Sequence, residues 1–159
     1  MKHLPKHLQP RWRYLGVEIE SWPDADFGRR ALQRELWYAA QNLVGDAGSA
    51  DLDLTVLRFA FEDGLGSALV RTRRGRTDSA RAVIASLSTV DDDPVGVRVR
   101  GTSGTVRACE EKYIRRASES SAQRQVAFDG DERTAVVRDG RVDVATDDGF
   151  SGATDLDLQ

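Results

Sequence analysis

The chain has 159 residues, 40% hydrophobic and 31% charged, which suits one domain whose core needs no disulfide or metal staple. One cysteine, Cys109, and two histidines confined to His3 and His7 exclude a disulfide scaffold, a zinc finger and an iron–sulfur protein. The net charge of −3 hides a basic body, with 19 Lys or Arg against 16 Asp or Glu over residues 1–116, and an acidic remainder with 4 against 10.

Residues 1–11 form a basic leader with Pro5 and Pro10, which forbid a long helix and predict an irregular arm with at most one helical turn. From Trp12 to Glu20 the chain alternates. Leu15, Val17 and Ile19 make one apolar face, while Trp12, Tyr14, Gly16, Glu18 and Glu20 make a mixed one. Asp24 or Asp26 is placed to cap a helix whose Leu32, Leu36, Ala39, Ala40, Leu43 and Val44 follow a 3.6-residue period, and Gly45 or Gly48 ends it. Trp37 and Tyr38 border that stripe as core-edge aromatics and leave apolar surface for a partner. Leu52–Phe61 and Leu65–Thr72 read as antiparallel strands joined at Glu62-Asp63-Gly64.

A second helix carries Ala80, Val83, Ile84 and Leu87, with Thr77 or Asp78 as its cap. Asp91-Asp92-Asp93-Pro94 is a solvated turn, and Val95, Val97 and Val99 mark a fourth strand. Gly101-Thr102-Ser103-Gly104-Thr105 leads into a third helix with Val106, Cys109, Tyr113 and Ala117, running to about Gln125. Beyond it, Val136-Val137 and Val142–Val144 flank Asp139-Gly140 as a small hairpin, and the acidic last fifteen residues read as disordered.

The order β-α-β-β-α-β is an α+β, ferredoxin-like or RNA-recognition-like sandwich, with an additional C-terminal helix. Residues 1–11 are then an arm, 12–125 one domain and 126–159 an acidic extension. The extra helix belongs on the mixed sheet face, which would deny that face to stacked bases. No apolar run is long enough to span a membrane and the N-terminus is no signal peptide, so a soluble cytoplasmic protein is expected.

No catalytic group stands out. General acid–base work favours a positioned histidine, and both histidines lie in the leader. Cys109, on an apolar stripe, reads as a small buried hydrophobe. Asp91–Asp93 reads as a turn before it reads as a Mg²⁺ site. The residues describe a binding module with no metal or cofactor of its own.

Arginine outnumbers lysine 20 to 3, from genome composition, a salty cell interior, or the fit of guanidinium forks to phosphate. Three basic elements present themselves. The leader has Lys2, Lys6, Arg11 and Arg13. A cluster holds Arg71, Arg73, Arg74 and Arg76, with Arg81 beyond. Arg98 and Arg100 precede Ser103, Gly104 and Thr105, a helix start suited to an anion, followed by Arg107. Sequence order alone does not say whether these patches meet.

Two of these stretches resemble the archaeal ribonuclease P protein component 2 family. Lys2-His3-Leu4-Pro5-Lys6-His7-Leu8-Gln9-Pro10-Arg11-Trp12-Arg13-Tyr14 is similar to its leader, and Gly101-Thr102-Ser103-Gly104-Thr105-Val106-Arg107-Ala108-Cys109 to its glycine–serine–threonine stretch. Val70-Arg71 falls where the family has a basic strand end. Gln9 and Trp12 depart from it, standing where basic residues are common.

The resemblance implies a protein subunit of ribonuclease P, the endoribonuclease that trims the 5′ leader from precursor transfer RNA. It implies that the RNA subunit carries the active site and its Mg²⁺. Its expected partners are that RNA, a barrel-like protein subunit, other ribonuclease P proteins, precursor transfer RNA through the holoenzyme, and self-pairing at the centre of a heterotetramer. Two alternatives stay open: another RNA-binding module of RNA-recognition type, and a ferredoxin-like structural or regulatory domain with no nucleic-acid role.

Overall fold

A computed structural model describes residues 4–9, 11–114, 121–128, 131–138, 141–147 and 149–153. The leader makes one 3₁₀ turn, Lys6–Leu8. Strand β1 (Trp12–Glu20) is followed by α1 (Arg29–Leu52), β2 (Thr55–Glu62), β3 (Leu65–Arg73) and α2 (Thr77–Ala85). Two short strands, β4 (Thr89–Val90) and β5 (Asp93–Pro94), precede β6 (Gly96–Ser103) and α3 (Val106–Cys109), which widens into a π-helical turn at Glu110–Ile114.

The main sheet is antiparallel, in the order β2-β3-β1-β6. Alternation sets its faces. Leu15, Val17 and Ile19 of β1 point into the core with Val56, Ala68, Val70 and the helix residues Leu32, Leu36, Ala40, Val83 and Ile84. Phe27 closes one end of this core, its ring centroid 4.4 Å from Phe61. Gln33, buried in α1, donates to the Leu54 carbonyl at 3.0 Å and accepts the Val56 N–H at 2.7 Å, which fixes α1 against the entry of β2. The β2–β3 loop has two left-handed residues, Asp63 (φ 53°) and Gly64 (φ 76°), as a tight hairpin demands.

The opposite face carries α3 and its π-helical turn. Tyr113 rests there on the backbone: a Cβ added to Gly16 would lie 2.3 Å from Tyr113 Cβ, and one on Gly101 would lie 2.3 Å from Tyr113 Cζ. The mixed face is covered, as its composition suggests.

Several local readings change. Helix α1 is capped at Gly28 with no side-chain bond, so neither Asp24 nor Asp26 caps it. Gly45 (φ 75°) breaks the helix without ending it; helical turns resume to Leu52 and stop at Asp53, itself left-handed at φ 47°. Helix α2 begins after Arg76 with no side-chain cap, so Thr77 and Asp78 do not serve.

The third helix does not reach Gln125, because β7 (Ser121–Phe128) begins first. Ser118, Ser120 and Ser121 are indifferent helix formers, and Val126 and Phe128, two apart, suit an extended chain. Strands β7, β8 (Asp131–Arg138), β9 (Arg141–Thr146) and β10 (Gly149–Ala153) form a second antiparallel sheet in chain order. The predicted hairpin is its β8–β9 pair, with Ala135 opposite Val144 and both buried; its turn, 139–140, is outside the described residues. The tail read as disordered forms strand to Ala153, and residues 154–159 are outside the described set.

Candidate nucleic-acid interface

Antiparallel pairing brings the start of β1, the end of β3 and the end of β6 to one end of the sheet. Trp12 stands opposite Arg73, and Tyr14 is flanked by Arg71 on one side and Ser103 on the other. The Arg74 N–H donates to the Arg11 carbonyl at 2.9 Å, joining the leader to the arginine cluster. Arg13 donates to the Trp12 carbonyl at 3.1 Å, and its guanidinium is 3.8 Å from where a Cβ on Gly104 would sit. Arg11, Arg13, Arg71, Arg73, Arg74, Ser103, Gly104 and Thr105 thus gather at one end of the sheet, a convergence that depends on register and is invisible in sequence order. Lys6 is exposed in the leader's 3₁₀ turn, and Lys2 is outside the described residues.

Carboxylates divide the cations. Arg73 is 3.7 Å from Asp53 and Arg76 is 3.6 Å from Asp51, pairs exposed enough to be weak. Among the described residues no carboxylate pairs with Arg11, Arg13, Arg71 or Arg74, so these keep their charge for a ligand. Arg98 and Arg100 lie further along β6, and both hold one oxygen of the buried Glu18 carboxylate, at 2.7 and 2.9 Å. Arg107 pairs with Glu111 one turn on, at 3.1 Å. These three reach an anion only by leaving carboxylate partners.

The glycine–serine–threonine segment is mostly strand, since β6 runs through Ser103. Thr105 caps α3, its hydroxyl accepting the Ala108 N–H at 3.1 Å. That N–H is therefore already taken.

Sequence reasoning missed the role of Trp12. The Arg71 guanidinium carbon lies 3.9 Å from the centre of its indole ring and that of Arg73 lies 5.7 Å away. The available signal was an aromatic residue in an otherwise basic leader. On α1, Trp37, Tyr38 and Leu43 are each about half exposed, with the Trp37 N–H donating to the Leu54 carbonyl.

Chemistry beyond binding finds little to use. Cys109 is fully buried, and burial pushes its thiol up to about 11, with the neighbouring Glu110 adding to the rise. A thiol so held is no nucleophile near neutrality. Asp91 and Asp92 turn between β4 and β5, with Asp91 bound to Arg34. Among the described residues no three His, Cys, Asp or Glu side chains are grouped to hold a metal ion, and no helix is long and apolar enough to cross a membrane.

The sequence model of the Rpp14/Pop5 family matches residues 13–114. Ribonuclease P protein component 2 of Natronomonas pharaonis is 66% identical over 159 residues, covering 100% of this chain and 99% of that one. Its counterpart in Haloarcula marismortui is 63% identical over 161 residues and covers both chains fully. The Methanosarcina acetivorans protein of the same name is 34% identical over 115 residues, 72% of this chain and 83% of that one. Among solved structures, a chain of yeast ribonuclease MRP superposes with a TM-score of 0.46 at 18% identity, over 63% of this chain and 79% of that one.

Proposed function

The chain belongs to the Rpp14/Pop5 family, and from that premise we propose that it is a protein subunit of ribonuclease P, assisting a catalytic RNA in removing 5′ leaders from precursor transfer RNA. The observation that carries this is the 66% identity to a ribonuclease P protein component 2 along the whole chain. The basic end of the main sheet supports it, because Arg11, Arg13, Arg71 and Arg74, which no carboxylate among the described residues holds, offer guanidinium groups suited to phosphate.

In this reading the subunit positions RNA and does no chemistry itself. The inert Cys109 thiol agrees with that, and the Mg²⁺ that cleavage needs sits on the RNA. The main contacts are Arg11, Arg13, Arg71, Arg73, Arg74, Ser103, Gly104 and Thr105. Lys2 and Lys6 add contacts from the basic leader, and Arg98, Arg100 and Arg107 add theirs where their carboxylates release them. Such contacts fix register on the RNA and read no bases.

Protein partners, a barrel-like subunit and a second copy of this chain among them, are served by other surfaces, of which the half-exposed aromatic side of α1 is one. Arm, RNA-recognition-like body and acidic extension divide this work. An open base-stacking platform is the weaker alternative, since Tyr113 covers Gly16 and Gly101 on the face such a platform would use.

The test is to purify the tagged chain from its own cells. A copurifying structured RNA that cleaves precursor transfer RNA at the mature 5′ end, lost when RNA is digested, is the expected result. Cleavage that tracks the RNA-free protein in constant ratio would contradict the non-catalytic role.

A further inference from the structure

We propose that Trp12, with the guanidinium groups of Arg71 and Arg73 gathered on it, is the stacking site for one unpaired base of the bound RNA. The inference rests on the RNA-binding reading above and adds what kind of nucleotide the basic end of the sheet takes.

Strand register places Trp12 and Tyr14 of β1 on one face with Arg73 and Arg71 of β3 opposite them. Arg71 lies 3.9 Å over the indole centre, and no carboxylate holds it among the described residues. Its Nε is buried without a hydrogen-bond partner, as is Ser103 Oγ on the far side of Tyr14. A charged side chain left so under-bonded is costly for folding alone. The indole, and not an ion pair, positions it.

A guanidinium plane on an indole is a ready-made step of a stack, because nucleobases stack on both aromatic rings and arginine planes. Arg73, exposed and off the ring centre at 5.7 Å, and Arg74, beside it in sequence with its backbone bonded to Arg11, are the cations assigned to the phosphates of the same nucleotide. A duplex offers no free base face, so the site selects an unpaired nucleotide within a structured RNA. Stacking is also independent of counterion release, so this contact persists in salt that weakens the phosphate contacts.

The test uses the full chain and the ribonuclease P RNA transcribed from its own genome, with affinity measured across a potassium chloride series. Trp12→Ala should weaken binding by about tenfold and leave the slope of log affinity against log salt unchanged. Arg74→Ala should flatten that slope by about 0.7–0.9, one phosphate contact. Tryptophan emission gives a second readout that does not depend on the alanine variant folding. RNA should quench emission of the wild-type chain, and Trp12→Phe, which keeps a ring, should lose that quench. RNA bound with wild-type affinity by Trp12→Ala, or a quench unchanged in Trp12→Phe, overturns the stacking site and leaves the RNA-binding reading standing. No binding by the wild-type chain overturns both.

Discussion

Tyr113 lies across Gly101 so closely that a Cβ on that glycine would stand 2.3 Å from the ring's Cζ and 2.5 Å from its hydroxyl oxygen. Only hydrogen fits beneath the ring. With Gly16 under the other end of the same side chain, two glycines on neighbouring strands make the seat for the helical segment after β6.

Gly101→Ala should therefore displace Tyr113 and cost about 1–3 kcal/mol, the usual penalty of overpacking. Thermal unfolding at fixed salt measures it. A melting temperature equal to wild type would mean that the segment is not seated on the sheet.

Gln33→Ala should be as damaging from the other face. It removes the acceptor of the buried Val56 N–H, while the Leu54 carbonyl keeps the Trp37 N–H, and the stranded Val56 N–H costs about 1–3 kcal/mol. Chemical denaturation should show a lower midpoint with an unchanged slope.

The architecture was legible in the sequence and the site only in pieces. Leu15, Val17 and Ile19 announce a one-sided strand, and the spacing of Leu32, Leu36 and Ala40 announces the helix that covers it. The mixed face around Tyr14 and Gly16 likewise called for the third helix. Meeting of Arg11, Arg13, Arg71 and Arg74 depends on which residue of β1 faces which of β3, a long-range choice no local pattern encodes. The extension misled because its short, polar strands carry few large apolar residues, so β10 looked like a disordered tail. The helix caps failed for a local reason: Gly28 and Arg76 hold those positions with no side-chain bond at all.

Arginines of equal promise in the sequence should now separate by experiment. Arg100→Ala with Arg107→Ala removes groups already held by Glu18 and Glu111, whereas Arg71→Ala with Arg74→Ala removes cations with no carboxylate partner among the described residues. The second pair should lose more RNA affinity, Arg71 through the stack on Trp12 and Arg74 through a phosphate, and flatten the salt dependence by about 0.9, one phosphate contact in duplex. The first should lose less affinity and more stability, because it leaves the buried Glu18 carboxylate with one partner fewer. Equal losses of affinity would show that the carboxylates do not hold those arginines back.

Cys109 supplies a pH prediction. Folding raises its thiol from about 9 to about 11, so the native state binds this proton more tightly than the unfolded chain does. The resulting stability is complete below about pH 9 and is lost as pH rises through about 11. Iodoacetamide at neutral pH should leave the folded thiol unmodified and label it once denaturant is added. Rapid labelling of the native chain would contradict its burial.

The most direct measurement of the central claim is cleavage of precursor transfer RNA by ribonuclease P reconstituted from its RNA and protein subunits at fixed Mg²⁺. Omitting this chain should slow formation of the mature 5′ end. Adding it back should restore the rate, and the Arg71→Ala, Arg74→Ala variant should restore it only at lowered salt, where phosphate contacts are stronger. Cleavage at the full rate without the chain, or equal rescue by wild type and variant at every salt concentration, would contradict a subunit that acts by holding RNA at the basic end of its sheet.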